Sequence, residues 1–93
     1  MSRLERIQAA LDQALAPTHL RLEDESHLHA GHAGAATGRG HFRVEIVSAA
    51  FTGQSPVTRH RTVYAALGSL MDTDIHALSI RAQTPAEWPG AEG

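Results

Sequence analysis

The chain has 93 residues, with ten acidic and eight basic side chains, a net charge of −2 and no cysteine. This length fits a single domain, residues 1–93, with one modest core. The lack of thiols excludes disulfides and any iron–sulfur site that this chain would hold alone. No run of about 18 apolar residues offers a membrane span. Histidine is the anomaly, at seven of 93 residues, because imidazole binds metals and titrates near neutral pH.

The first part of the chain predicts a helix, a strand and a long loop. Ser2 and Glu5 have the spacing of a capping box, and apolar residues recur at helical intervals until Pro17 ends the helix at about Leu15. The segment HLRLED alternates apolar and polar residues, which is typical of a half-buried strand. Residues 25–40 have no period and are rich in Gly, Ala and His, so they are interpreted as a loop that is long for so small a domain.

The opening residues also bear on targeting. The segment MSRLERIQAALDQAL contains acidic residues and lacks the apolar centre of a secretory signal. It therefore resembles neither a secretory nor a transit peptide, and we expect a cytoplasmic protein.

A second strand and a second helix follow the loop. The segment HFRVEIVS alternates again and directs Phe42, Val44 and Ile46 to the core. Ser55 is a good N-cap, with Pro56 at the first helical position. In the helix PVTRHRTVYAALGSLM the spacing predicts one buried stripe, with Val63 and Leu70 beside it. That stripe consists of Val57, Tyr64, Leu67 and Met71.

The last part predicts a third strand and a short terminal turn. IHALSIRAQ alternates, with His76, Leu78, Ile80 and Ala82 on one face. Thr84 and Glu87 have the spacing of a second capping box. The ordered core is expected at about residues 3–88, with a frayed tail at 89–93.

The element order α-β-β-α-β defines the predicted fold class. The first two strands can pair antiparallel across the loop, and a strand that follows a helix should lie parallel to its predecessor through a right-handed crossover. The simplest arrangement is an α+β fold, a three-stranded mixed sheet with both helices packed on one face. It is like the type II K-homology arrangement.

Five blocks of sequence in this order resemble the BolA family: DESHLHAGH, HFRVEIVS, FTGQSPVTRHRTVYAAL, IHALSI and TPAEW. The resemblance covers about residues 3–88. Its most specific part is F-x-G-x-x-x-V-x-RHR, which begins at Phe51 and ends at Arg61.

The resemblance implies that the chain binds a monothiol glutaredoxin and shares a bridging 2Fe-2S cluster with that protein and glutathione, in iron regulation or cluster delivery. The family's histidine ligand in I-H-A-L falls on His76, and its second ligand, in the loop, falls on His29 with His32 as a rival. Imidazoles can replace two thiolates on one iron, as in Rieske centres. Because the chain has no thiol of its own, we expect it to bind no cluster alone. A mononuclear zinc or nickel site from His27, His29 and His32 stays open as an alternative.

The resemblance also implies a second role, DNA binding and transcriptional control. The candidate residues are Arg59, His60, Arg61 and Arg43, since arginine suits phosphate contacts. The net charge counts against this role, and so does the T-G-Q-S turn, whose lone Gly53 does not make a G-x-x-G loop.

The remaining expectations concern single residues and assembly. Arg59 and Arg61 can alternatively pair with nearby acids. His60 is interpreted as packed between helix and sheet, His41 is interpreted as structural, and His19 is given no function. No nucleophile motif or paired acid–base set appears, so an enzyme is not expected. The chain alone is expected to be a monomer or a weak homodimer.

Overall fold

The computed structural model describes residues 2–26 and 40–88. The two longer helices are α1, Arg3–Leu15, and α2, Pro56–Leu67, and a short helix α3 covers Leu70–Thr73. The strands are β1, His19–Asp24, β2, Gly40–Val47, and β3, Ile75–Gln83. A single 3-10 turn, Ala49–Phe51, follows β2. The predicted order α-β-β-α-β is therefore confirmed, with α3 as an addition. No helix in the described ranges is long and apolar enough to cross a membrane.

Local capping explains where the two main helices begin. The Ser2 hydroxyl accepts a hydrogen bond from the Glu5 amide at 3.2 Å, and the Glu5 carboxylate accepts one from the Ser2 amide at 2.9 Å. The Ser55 hydroxyl accepts from the Thr58 amide at 3.2 Å, and Pro56 occupies the first helical position. Both features satisfy amides that a helix start leaves without a partner, so both predicted caps are confirmed.

The sheet has the order β1-β2-β3. β1 and β2 pair antiparallel, with Leu22 opposite Val44. β2 and β3 pair parallel, with Val44 opposite Ile80. The mixed topology that the sequence predicted is confirmed, and β2 is its central strand. The β2–β3 register shifts at Gly40 and His41, where the two strands begin.

The hydrophobic core lies between the sheet and the two longer helices. Phe42, Val44 and Ile46 of β2 are almost completely buried, as predicted. They pack against residues of α1, α2 and β3 in one cluster that includes Ile7, Leu11, Val63, Leu67 and Ile75. Burying these side chains supplies most of the folding free energy, at roughly 25 cal/mol per Å² of apolar surface. The opposite face of the sheet carries polar side chains.

The predicted buried stripe of α2 is partly wrong. Val57 is 60% exposed and Tyr64 is 41% exposed, whereas Val63 and Leu67 are buried. The helix also ends earlier than predicted, because Gly68 has a positive φ of 55° and breaks the helical path. α2 is therefore rotated relative to the prediction, and the residues around Tyr64 face outward.

Arg59 joins α2 to the last strand. Its guanidinium donates to the Glu87 carboxylate at 2.6 and 3.2 Å and to the Ala82 carbonyl at 3.1 Å. Its Nε donates to the Gln54 carbonyl at 3.0 Å. The sequence assigned the tether between helix and sheet to His60, but His60 is exposed. That interpretation is wrong, since Arg59 forms the tether.

The terminal turn packs back on the first strand. The Glu87 carboxylate accepts from the Thr84 amide at 2.8 Å, which confirms the second predicted capping box. Trp88 then stacks on His19, with ring centroids 4.5 Å apart, and the His19 ring lies 3.0 Å from the Glu45 carboxylate. The terminal turn thus contacts β1 through Trp88 and α2 through Glu87.

Candidate metal centre

Two histidines meet where β2 and β3 begin. The rings of His41 and His76 have centroids 5.2 Å apart and planes inclined by 50°. His76 is exposed, while the Nε2 atom of His41 is buried. Because the strands are parallel, both side chains lie at the same end of the sheet. The exposed ring of His76 is therefore open to an incoming ligand, and His41 packs beside it.

The backbone around His41 is fixed by hydrogen bonds on both sides. Its amide donates to the Ser26 hydroxyl at 3.1 Å, and its carbonyl accepts from the Glu25 amide at 2.8 Å. The neighbouring Gly40 amide donates to the Asp74 carbonyl at 2.9 Å. Ser26 and Gly40 are the residues on either side of segment 27–39. Both ends of that segment are therefore anchored next to the histidine pair.

Gly40 allows this close approach. A Cβ at this position would lie 2.6 Å from the Ser26 Oγ and 2.8 Å from ring atoms of Phe42. Such distances are too short for carbon, and Phe42 is only 1% exposed, so its ring has little room to move. A side chain at position 40 would therefore push apart the contacts that hold His41 in place.

The corner before His76 is held by a second set of contacts. The Asp74 carboxylate forms a salt bridge with Arg6 of α1 and accepts a hydrogen bond from the Thr73 hydroxyl at 2.7 Å. The Arg6 hydrogen bond is the largest cause of a lowered pKa of Asp74. The buried carboxylate of Asp74 therefore faces Arg6.

The predicted ligands from the loop cannot be compared with the structure. His27, His29 and His32 all lie outside the described residues. Within residues 2–26 and 40–88, no three His, Asp or Glu side chains form a group that could hold a metal ion. Between them, His41 and His76 offer two imidazoles, which is an incomplete coordination sphere for a tetrahedral metal. Any metal centre at this end of the sheet needs ligands from elsewhere.

His41 is the residue whose placement the sequence analysis did not anticipate. It was interpreted as structural, because it opens the second predicted strand. The signal that could have found it is the parallel pairing of β2 and β3, which brings the first residues of both strands together.

The four residues predicted for nucleic-acid binding do not form one patch. Arg59 is only 14% exposed and is engaged by Glu87, as the alternative interpretation expected. His60 and Arg61 are exposed on α2. Arg43 lies on the polar face of the sheet, away from the helices, and its Nε is 3.6 Å from the Glu25 carboxylate.

The model of the BolA family, described as BolA-like protein, matches residues 11–87. The chain belongs to the BolA family.

Individual relatives agree with this membership. BolA-like protein 1 of Mus musculus is 50% identical over 82 residues, which is 88% of this chain and 58% of the mouse protein, so the chain spans well under two thirds of that relative. The DNA-binding transcriptional regulator BolA of Escherichia coli is 39% identical over 95% of this chain and 81% of its own length. Among solved structures, the BolA domain of SufE1 from Arabidopsis thaliana superposes with a TM-score of 0.83 at 46% identity, covering 95% of this chain and 98% of that one.

Proposed function

We propose that this chain is an adaptor that binds a monothiol glutaredoxin and shares a bridging 2Fe-2S cluster with it, in iron homeostasis or cluster delivery. The observation that carries the proposal is the exposed ring of His76 beside His41, at the end of the sheet where both ends of segment 27–39 are anchored. The ligands from this chain are His76 and His29, with His32 as the rival for the loop position.

Chain length supports this choice of ligands. Position 29 follows Ser26 by three residues, and three residues of extended chain reach about 11 Å at most. The Ser26 hydroxyl is bonded to the amide of His41, whose ring neighbours that of His76. An imidazole at position 29 can therefore meet the His76 ring without any change in the fold. Position 32 satisfies the same condition through a longer span.

The donor set fits a shared cluster better than a private one. This chain supplies imidazoles only, since it has no cysteine. A glutaredoxin thiolate and a glutathione thiolate would complete four ligands. When bound, such a cluster supplies redox and cluster-transfer chemistry, and replacing two thiolates by neutral imidazoles raises its reduction potential. The part of His41 is then to position the His76 ring, because its own Nε2 is buried.

The experiment is co-expression with a monothiol glutaredoxin, followed by visible absorption and circular dichroism of the purified complex. We expect a spectrum that differs from that of the glutaredoxin homodimer and that returns to the homodimer form in His76→Ala. His29→Ala and His32→Ala then identify the loop ligand. The matched control is His19→Ala, because His19 pairs with Val47 at the far end of the sheet. An unchanged homodimer spectrum with the native chain would refute the proposal.

A second candidate function is DNA binding, favoured by the name of the Escherichia coli relative. The exposed basic residues of α2, His60 and Arg61, are its strongest support in this chain. Phosphate contacts release counterions, so affinity for a duplex should fall steeply as salt rises. Under this function Arg61→Ala weakens DNA binding and His76→Ala leaves it unchanged. Under the cluster function His76→Ala changes the spectrum of the glutaredoxin complex and Arg61→Ala leaves that spectrum unchanged.

A further inference from the structure

β3 forms one edge of the sheet and leaves its outer side open. In the part of the chain that the structure describes, β3 pairs with β2 alone. It is nine residues long, contains no proline and has a single charged side chain, Arg81; proline and charged residues commonly protect an edge. An edge strand of this kind presents backbone N–H and C=O groups to any extended chain that comes alongside.

The direction of these backbone groups can be read from two hydrogen bonds. The Gln83 carbonyl accepts from the Ser48 amide at the end of β2, so it points inward. The Ala82 carbonyl accepts from the Arg59 side chain, so it points away from β2. Since backbone groups alternate along a strand, those of Leu78 and Ile80 point the same way as Ala82. The open part of the edge therefore lies between His76 and Ala82.

A groove runs beside this open edge, between β3 and the first turns of α2. It has a volume of about 230 Å³. We call it the α2–β3 groove, and its lining residues are Pro56, Arg59, His60, Ile80, Arg81 and Ala82. The apolar part of this lining is formed by Pro56, Ile80 and Ala82. Such a depression suits one side chain of an added strand, since alternate residues of that strand face the same side.

The charges around the groove indicate which kind of peptide would bind there. Neither α2 nor β3 contains an acidic residue, although the chain as a whole has a net charge of −2. Among the residues that line the groove, the exposed cation is Arg81, which is 65% exposed and lies 3.9 Å from the Glu45 carboxylate. The Glu87 carboxylate, which lies near the groove, is bonded to Arg59. Val57 and Tyr64 add exposed apolar surface on the same helix.

We propose that the open edge of β3 binds an extended acidic segment of a partner protein as a fourth strand, with an apolar side chain in the α2–β3 groove and carboxylates on the other face of the added strand, toward Arg81. The backbone hydrogen bonds favour a peptide over a nucleic acid, which has no strand edge to pair. The inference does not depend on the shared cluster, because no cluster ligand takes part in it.

The test uses the full chain and a fluorescent, end-blocked peptide of eight residues that alternates valine and glutamate. We expect saturable binding with a dissociation constant below about 1 mM, and amide shifts in the NMR spectrum at Leu78 and Ile80. The same peptide with alternate backbone amides N-methylated should not bind, because methylation removes the donors of a strand pair. Equal binding of both peptides, or no binding, would overturn the proposal.

Matched charge reversals test the electrostatic part. Arg81→Glu should weaken binding at least about tenfold, since exposed charges steer and orient such ligands. Arg21→Glu, an equally exposed arginine on the opposite edge strand β1, should change it less than about twofold. Equal effects of the two reversals would contradict a site on β3. A single-stranded oligothymidine that binds more tightly than the peptide and shifts the same amides would also overturn the proposal, in favour of a nucleic-acid groove.

Discussion

Replacing Gly40 by alanine tests how closely the base of the histidine pair is packed. The added methyl group would lie 2.6 Å from the Ser26 Oγ and 2.8 Å from two carbon atoms of Phe42. The φ angle of Gly40 is not positive, so the cost is steric alone and no backbone strain enters. Forcing a methyl group into a well-packed site costs about 1–3 kcal/mol. For a domain of this size that lowers the melting temperature by about 4–8 °C per kcal/mol.

The assay is thermal unfolding followed by circular dichroism, with Gly40→Ala compared with the native chain. Phe42→Leu removes the two ring carbons that the methyl group meets, so the cost of Gly40→Ala should fall by about half in that background, as a double-mutant cycle would measure. A melting temperature for Gly40→Ala within about 2 °C of the native value would refute this account of the site. So would an equal cost in both backgrounds.

Three further predictions concern the rest of the fold. Arg59→Ala should lower the melting temperature far more than Arg61→Ala, because only Arg59 ties α2 to the last strand and the terminal turn, through one hydrogen bond to Ala82 and two to Glu87; equal losses would contradict the tether. Hydrogen bonds, first from Arg59 and then from the Thr84 amide, lower the pKa of Glu87 from 4.5 to about 2, so stability from this carboxylate is present above pH 4.5 and is lost as the pH falls towards 2. The free energy of unfolding in urea should therefore differ less and less between the native chain and Glu87→Gln as the pH falls over that interval. A difference that stays constant with pH would be inconsistent with the lowered pKa. Leu67→Ala should cost about 2–5 kcal/mol and Tyr64→Ala less than about 1 kcal/mol in the same assay, and similar costs would contradict the orientation of α2.

Much of the fold could be predicted because its signals are local. Strand alternation in HLRLED and IHALSIRAQ matches the observed bounds of β1 and β3 residue for residue. The capping boxes at Ser2 and Thr84 depend on neighbours three residues apart, so the sequence contains both partners. The parallel pairing of β2 and β3 followed from the handedness of crossovers.

The face of α2 could not be predicted in the same way. Apolar residues occupy more than half of its circumference, so the period admits two stripes, one through Tyr64 and one through Val63. The deciding residue is Arg59, which lies four positions before Val63 and shares the buried side. A helix face that contains a charged residue is normally predicted to be exposed, unless the partners of that residue are known. Those partners, Glu87 and the Ala82 carbonyl, lie more than 20 residues further along the chain.

The candidate metal site was predictable only in part, for a related reason. The motif match supplied His76, and the structure places it exposed at the start of β3. The ring contact with His41 depends on the pairing of two strands that are distant in sequence, which no local pattern encodes. The loop ligands at positions 29 and 32 stay predictions.

The stack of Trp88 on His19 makes the terminal turn visible to spectroscopy. Trp88 is the only tryptophan in the chain, so all indole emission reports on this one contact. An indole pressed against another ring emits differently from one in water, since its face is then covered. Detachment of the turn from β1 would thus appear as a change in intrinsic fluorescence while the rest of the sheet stays paired, and a rapid-mixing instrument could time that release against global unfolding.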